Sequence, residues 1–173
     1  MAELNPFKSD LRELEFALFD QFHLAELFAS EPYKHMSEQD ARLILKEAQT
    51  FAAEVIGPTM HVTDQQGCRH TPEGVKVPAE LHALWRQFYE AGWNTLEMPE
   101  AEGGQGAPRL LGVAVAELMT GANTAFHMYP GLSGAAAAVI RAFGTPEQRE
   151  LYPPKIENGT WGGTMVLTEA QAG

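Results

Sequence analysis

Apolar residues recur at three- and four-residue intervals through most of this chain, a spacing that predicts a succession of helices. The first covers residues 10–29, where Leu11, Leu14, Leu18 and Phe22 form one stripe and Phe19 widens it. Ser9 is placed to cap it, and Asp10 and Glu13 suit the positive end of its dipole. The Glu31-Pro32 step ends it, because a residue before proline avoids the helical region. Ser37 opens a second helix with Ala41, Ile44, Leu45, Ala48, Phe51, Ala52 and Val55 on one face, and Gly57-Pro58 is expected to stop it. A third begins near Val77-Pro78, carries Leu81, Leu84, Trp85 and Phe88, and has Gly92 where a C′ glycine belongs.

The fourth helix runs from Arg109 to about Met119. It is almost wholly apolar (Leu110, Leu111, Val113, Val115) and is expected to be buried on most sides. A fifth covers residues 132–143, with a run of small residues at 134–138 that lets a backbone or a ligand come close. Thr145, Pro146 and Gln148 form a capping-box signature for a sixth. Between the fourth and fifth, residues 123–134 read as a helix junction that holds three polar side chains, His127, Tyr129 and Ser133. After so much helical patterning, residues 161–168 are the clearest strand signal: Trp161 is aromatic, Val166 and Thr168 are β-branched, and Gly162 and Gly163 mark a bulge or close approach. One strand has no ladder partner, so the segment is expected to enter a β domain that lies outside this sequence.

Two stretches invite chemical readings that the residues do not sustain. Residues 61–76 are polar, with Gly67, Pro72 and Gly74, and read as a surface excursion. Cys68 with His61 and His70 matches no compact zinc spacing, and no base is indicated that would make Cys68 a nucleophile. Gly103-Gly104-Gln105-Gly106 follows no strand and lacks a Lys-Ser/Thr pair, while Arg109 holds the place of the last glycine of a dinucleotide fingerprint. It reads as a tight loop before the fourth helix.

Composition narrows the class. With 173 residues and 45% hydrophobic positions the chain suits one domain with a packed core. A net charge of −11 with 12 scattered Lys and Arg argues against nucleic acid as a partner. No apolar run reaches the roughly 18 residues of a membrane span, and the first ten residues lack the character of a signal or transit peptide. The single cysteine excludes an internal disulfide. The cytoplasm is the expected location.

Four motifs in register resemble the acyl-CoA dehydrogenase family. Residues 165–173, Met-Val-Leu-Thr-Glu-Ala-Gln-Ala-Gly, resemble its first flavin-contacting strand and loop, with Ala170 in place of the usual proline. Residues 98–106 resemble its Pro-Glu-x-x-Gly-Gly-x-Gly loop, residues 144–149 its Gly-Thr-x-x-Gln-Lys/Arg turn, and residues 152–155 the segment after that turn. Residues 11–22 resemble an N-terminal extension found in the branch with broad-chain and methylthiopropanoyl-CoA dehydrogenases.

The resemblance implies a mainly α fold: an extension at 1–36, the family's N-terminal helical bundle at 37–158, and the start of its middle β domain at 159–173. It implies FAD as cofactor, with Met165, Leu167, Thr168 and Gly173 as contacts, and α,β-dehydrogenation of an acyl-CoA in fatty-acid or related acyl catabolism. His127, Tyr129, Pro130 and Gly131 match positions lining the acyl pocket. The partners implied are the acyl-CoA, an electron-transfer flavoprotein and further copies of the chain. The family's catalytic glutamate belongs to a C-terminal domain, so Glu169 is read as a structural acid and this chain as lacking the base. The other readings of the sequence are an oxidase-like flavoprotein, which hands electrons to oxygen, and a helical interaction module without cofactor.

Overall fold

The computed structural model describes residues 7–166, 168, 170 and 171. It is mainly helical, as the periodicity predicts. In chain order the elements are α1 (Leu11–Glu15), α2 (Glu38–Phe51), α3 (Gly57–Gln66), a hairpin of β1 (Arg69–Thr71) and β2 (Gly74–Lys76), α4 (Ala79–Glu90), α5 (Arg109–Ala122), α6 (Thr124–Phe143) and α7 (Pro146–Glu157).

The core forms where α2 and α5 face each other. Ala41, Leu45, Ala48, Ala52, Ile56, Leu111 and Ala122 have no exposed surface, and burying a leucine or isoleucine this fully contributes about 1.5–3 kcal/mol. Phe88 of α4 ties the layers together, with its ring 5.7 Å from Phe126 of α6 and 6.4 Å from Phe51 of α2. The N-terminal segment closes over this core through Leu18 and Leu24, both buried.

Helix boundaries follow capping chemistry closely. Ser37 and Asp40 form a reciprocal capping box on α2, and Thr145 and Gln148 form another on α7 with Pro146 in the first turn. Gly92 takes φ 74°, the left-handed C′ position beyond α4, where its lack of a Cβ removes the steric cost.

Five expectations are corrected. The first helix is capped by Asp10 rather than Ser9 and is not continuous over 10–29. It widens into a π-helical turn at Phe16–Gln21 and breaks at His23, which has a left-handed φ of 51°, before a 3₁₀ turn at Leu24–Ala29. Breaking there seats Leu24 fully in the core. The second helical path does not stop at Gly57-Pro58. A π turn at Ala52–Ile56 bonds the Gly57 N–H back to the Ala52 carbonyl, and Pro58, which has no N–H, falls at the start of α3 where none is needed. The polar excursion holds the end of α3 and the hairpin, in which Arg69 pairs with Lys76 and Thr71 with Gly74. The fifth helix begins at Thr124 and not at 132, so most of the expected junction is helical. Finally, the described residues of 161–168 form no strand; Trp161 bonds to α7 and Gly163 rests on α6.

Candidate functional site

α5 and α6 are joined through the single residue Asn123, which makes them an antiparallel pair. Asn123 is buried and fully bonded. Its side-chain carbonyl accepts from the Phe126 N–H at 3.1 Å, and its amide donates to Thr59 Oγ1 at 2.9 Å and Thr63 Oγ1 at 3.2 Å. A hairpin pinned to α3 in this way holds its two inner faces at a fixed separation.

Between those faces lies a cleft of about 570 Å³. Its walls follow helical spacing: Gly112, Val115, Ala116 and Met119 on α5, and His127, Pro130, Gly131, Gly134, Ala137, Ala138 and Arg141 on α6. The 93–99 loop and Phe88 complete it. The α6 wall is set back where a Cβ on Gly131 or Gly134 would meet nothing within 4 Å. The run of small residues noted in the sequence thus opens space.

The two ends of the cleft differ in chemistry. Near Asn123 it is apolar, formed by Phe88, Met119 and His127. The His127 Nδ1 lies 2.9 Å from Thr120 Oγ1, and burial pushes its pKa below the ordinary value, which favours the neutral ring. The far end is ionic. Arg141 donates a two-pronged bond to Glu157 at 2.7 and 2.6 Å and sits 3.2 Å from Glu102, while Arg109 reaches both oxygens of Glu97 at 2.9 and 2.8 Å. An apolar slot with a charged mouth suits a ligand that is oily at one end and polar at the other.

His127, Pro130 and Gly131 come together in this cleft. Tyr129 does not. It faces a separate recess of about 100 Å³ with Val77, Leu81, His82, Trp85 and Phe126, and its hydroxyl is 3.9 Å from the Cys68 thiol. Two residues along a helix turns a side chain by roughly 200°, so Tyr129 cannot share a wall with His127. Met165 and Thr168 are exposed and lie outside regular structure; Leu167, Glu169 and Gly173 lie outside the described residues.

The loop at 103–106 spends its backbone donors internally. The N–H groups of Gly103, Gly104, Gln105, Gly106 and Ala107 bond to the carbonyls of Glu100, Pro99, Thr95, Met98 and Leu96. None is left to cradle a phosphate, which agrees with its reading as a tight turn.

Sequence reasoning missed Trp93, Asn94, Glu97 and Arg141 as lining residues. The first three sit in a stretch without periodicity, and Arg141 shows its role only through partners 16 and 39 positions away. The buried Trp93 Nε1 and Asn94 Oδ1 carry no hydrogen bond among the described residues, although Asn94 Nδ2 donates to the Glu157 carbonyl at 2.7 Å.

Fold and cleft together define a helical domain with an apolar ligand slot. The chain belongs to the acyl-CoA dehydrogenase family: the family's profile, described as "Acyl-CoA dehydrogenase, N-terminal domain", matches residues 38–160. It is 31% identical over 167 residues to 3-methylmercaptopropionyl-CoA dehydrogenase of Ruegeria pomeroyi, covering 96% of this chain and 28% of that protein. It is 29% identical over 172 residues to the broad-specificity linear acyl-CoA dehydrogenase FadE5 of Mycobacterium tuberculosis, covering 98% and 28%. A butyryl-CoA dehydrogenase of Syntrophomonas wolfei is 26% identical over 167 residues, covering 94% and 27%. The chain thus spans little more than a quarter of the length of these relatives. Among the described residues no helix is long and apolar enough to cross a membrane.

Proposed function

We propose that this chain is the N-terminal part of an FAD-dependent acyl-CoA dehydrogenase that removes the α and β hydrogens of an acyl-CoA thioester in fatty-acid or related acyl catabolism. The observation that carries the reading is the family match over 38–160, combined with a cleft whose apolar slot and ionic mouth suit an acyl chain. In this reading residues 1–36 are an extension, 37–158 the helical domain and 159–173 the entry to a β domain. The enzyme works in the cytoplasm as a homo-oligomer and passes electrons to an electron-transfer flavoprotein.

Within the cleft His127, Pro130 and Gly131 line the slot, and Tyr129 lies outside it in the neighbouring recess. The neutral His127 places no charge beside an apolar chain, and Phe88 and Met119 line the inner end with apolar surface. FAD supplies the hydride acceptor when bound. The terminal segment fits contact with a flavin edge: Met165 and Thr168 are exposed, and the backbone of 164–166 makes no hydrogen bond among the described residues. Met165, Leu167, Thr168 and Gly173 are assigned to that contact; the carboxylate base is assigned to a later domain.

Two measurements test this. The polypeptide of residues 1–173, titrated with FAD and followed by flavin fluorescence, is expected to bind weakly or not at all and to turn over no acyl-CoA. Turnover by this polypeptide would sink the assignment of the base. The gene's downstream reading frame is expected to continue Ser-Asp and then through a β domain and a helical bundle. A frame that does neither favours a helical interaction module.

A further inference from the structure

Ser133 is a buried polar residue on α6 that the cleft does not use. Its hydroxyl donates to the Tyr129 carbonyl at 2.8 Å, one turn back on the helix. The same oxygen accepts the Gly163 N–H at 2.9 Å from a residue 30 positions later. One hydroxyl therefore joins α6 to the terminal segment, donating to the first and accepting from the second.

The terminal segment is shaped for this point. A Cβ on Gly163 would lie 2.7 Å from the Ala136 Cβ and 3.0 Å from the Ser133 Cα, so only glycine lets the backbone settle against the helix. Upstream, the chain is held by the Trp161 N–H on the Lys155 carbonyl at 2.8 Å and by Lys155 stacked 4.3 Å over the Trp161 ring. Downstream of Gly163 the backbone bonds end among the described residues, and Val166 is 85% exposed. Gly163 is the last fixed point before the residues assigned to the flavin.

We propose that Ser133 is a positioning residue: its hydroxyl latches Gly163 to α6 and so sets where the flavin-contacting segment leaves the helical domain. The flavin part of this statement rests on the function proposed above; the latch itself does not. A serine is suited to the task because a hydroxyl bonded back to its own helix is held in one rotamer, which aims its free lone pairs outward. Alanine at the same place keeps the helix and removes the hydroxyl, with its bond to the Tyr129 carbonyl and the acceptor for Gly163.

The test uses the ¹⁵N-labelled chain without flavin and reads amide hydrogen exchange by NMR. The readout is the Gly163 exchange rate relative to the core amides of Leu84 and Phe88. In the wild-type chain Gly163 is expected to be protected. Ser133→Ala is expected to speed Gly163 relative to the core by about 5- to 10-fold, the loss of one net hydrogen bond. Ser133→Thr keeps a hydroxyl on the same carbonyl and is expected to restore protection. An unchanged ratio in Ser133→Ala, or an unprotected Gly163 in the wild type, would overturn the latch. So would a folded Ser133→Thr, checked by circular dichroism, that exchanges as fast as the alanine variant. Because no flavin is present, these outcomes are separate from failure of the flavin assignment. That would show as an intact latch in a protein carrying the downstream domains that still binds no FAD.

Discussion

The α2–α5 layer and the outer side of α6 are both apolar, yet the protein treats them in opposite ways. In the first, Leu45 and Leu111 are wholly buried, and almost every apolar side chain on the facing surfaces has a neighbour within this chain. On the second, Met128, Val139 and Phe143 stand about half to 85% exposed, spaced so that with Leu132 and Ala135 they form one stripe along the helix. Contiguous exposed apolar surface of this kind marks an interaction face rather than a finished surface. The contrast separates what this chain stabilises on its own from the apolar surface it leaves uncovered.

Cavity formation gives the largest expected effect. Leu45→Ala or Leu111→Ala removes a side chain with no exposed surface, and is expected to destabilise by about 2–5 kcal/mol in urea titration. Phe143→Ala, a larger truncation, is expected to change stability by less than about 0.5 kcal/mol because the ring is already in water. If Phe143→Ala costs as much as Leu45→Ala, the two regions are not different in kind.

A smaller effect is expected at the ionic mouth of the cleft, on the inner side of α6. Arg141→Met removes both prongs of the Glu157 bond and the contact with Glu102, and is expected to cost about 1–2 kcal/mol. Double-mutant cycles sharpen this. Glu157 is more buried than Glu102 and bonds bidentately, so the Arg141–Glu157 coupling is expected at about 1 kcal/mol. The more exposed Arg141–Glu102 pair is expected near 0.5 kcal/mol and to fade in high salt. Equal couplings would mean that α7 is not the anchor of this end.

The same contrast explains what the sequence disclosed. α4, whose stripe faces the core, was legible because burial imposes a period, and α7, which packs on α6, was legible from its capping box; each begins within a residue or two of its signal. α6 was half missed because Pro130 and a scatter of polar residues interrupt its first three turns. The proline is tolerated because the Asn123 cap and the cleft face hold those turns in place. The breaks at His23 and Ala52–Ile56 were illegible for a different reason: they are set by where Leu24 and Ile56 must sit in the core, a tertiary demand with no local signature. At the candidate site His127, Pro130 and Gly131 came from the family resemblance and not from spacing, and Tyr129 came with them although counting along a helix turns it away from His127. The 93–99 wall and the Ser133–Gly163 contact join residues far apart in sequence and have no local pattern to betray them.

The smallest expected effect concerns protonation inside the hairpin. Burial lowers the pKa of His127, so the folded state holds its proton less tightly than the unfolded chain, whose histidine titrates near 6.5. Below that value the unfolded state binds more protons, and stability falls as pH drops through about 6.5 toward the lower folded value. Above it the contribution is complete and flat. The other folded-state shifts leave this window clear: hydrogen bonds from Ser37 hold the Asp40 carboxyl below its ordinary 3.8, and burial pushes the Tyr89 phenol up to about 12. Tyr89 therefore lowers stability only as pH rises beyond about 10. His127→Gln keeps a polar side chain in reach of Thr120 without an ionisable ring, and is expected to flatten the loss of urea midpoint between about pH 6.5 and about pH 5. An equal loss in wild type and variant would place the acid sensitivity outside the cleft. A flattened profile would show that its inner end is dry enough to reject a charge, which is the condition an acyl chain requires.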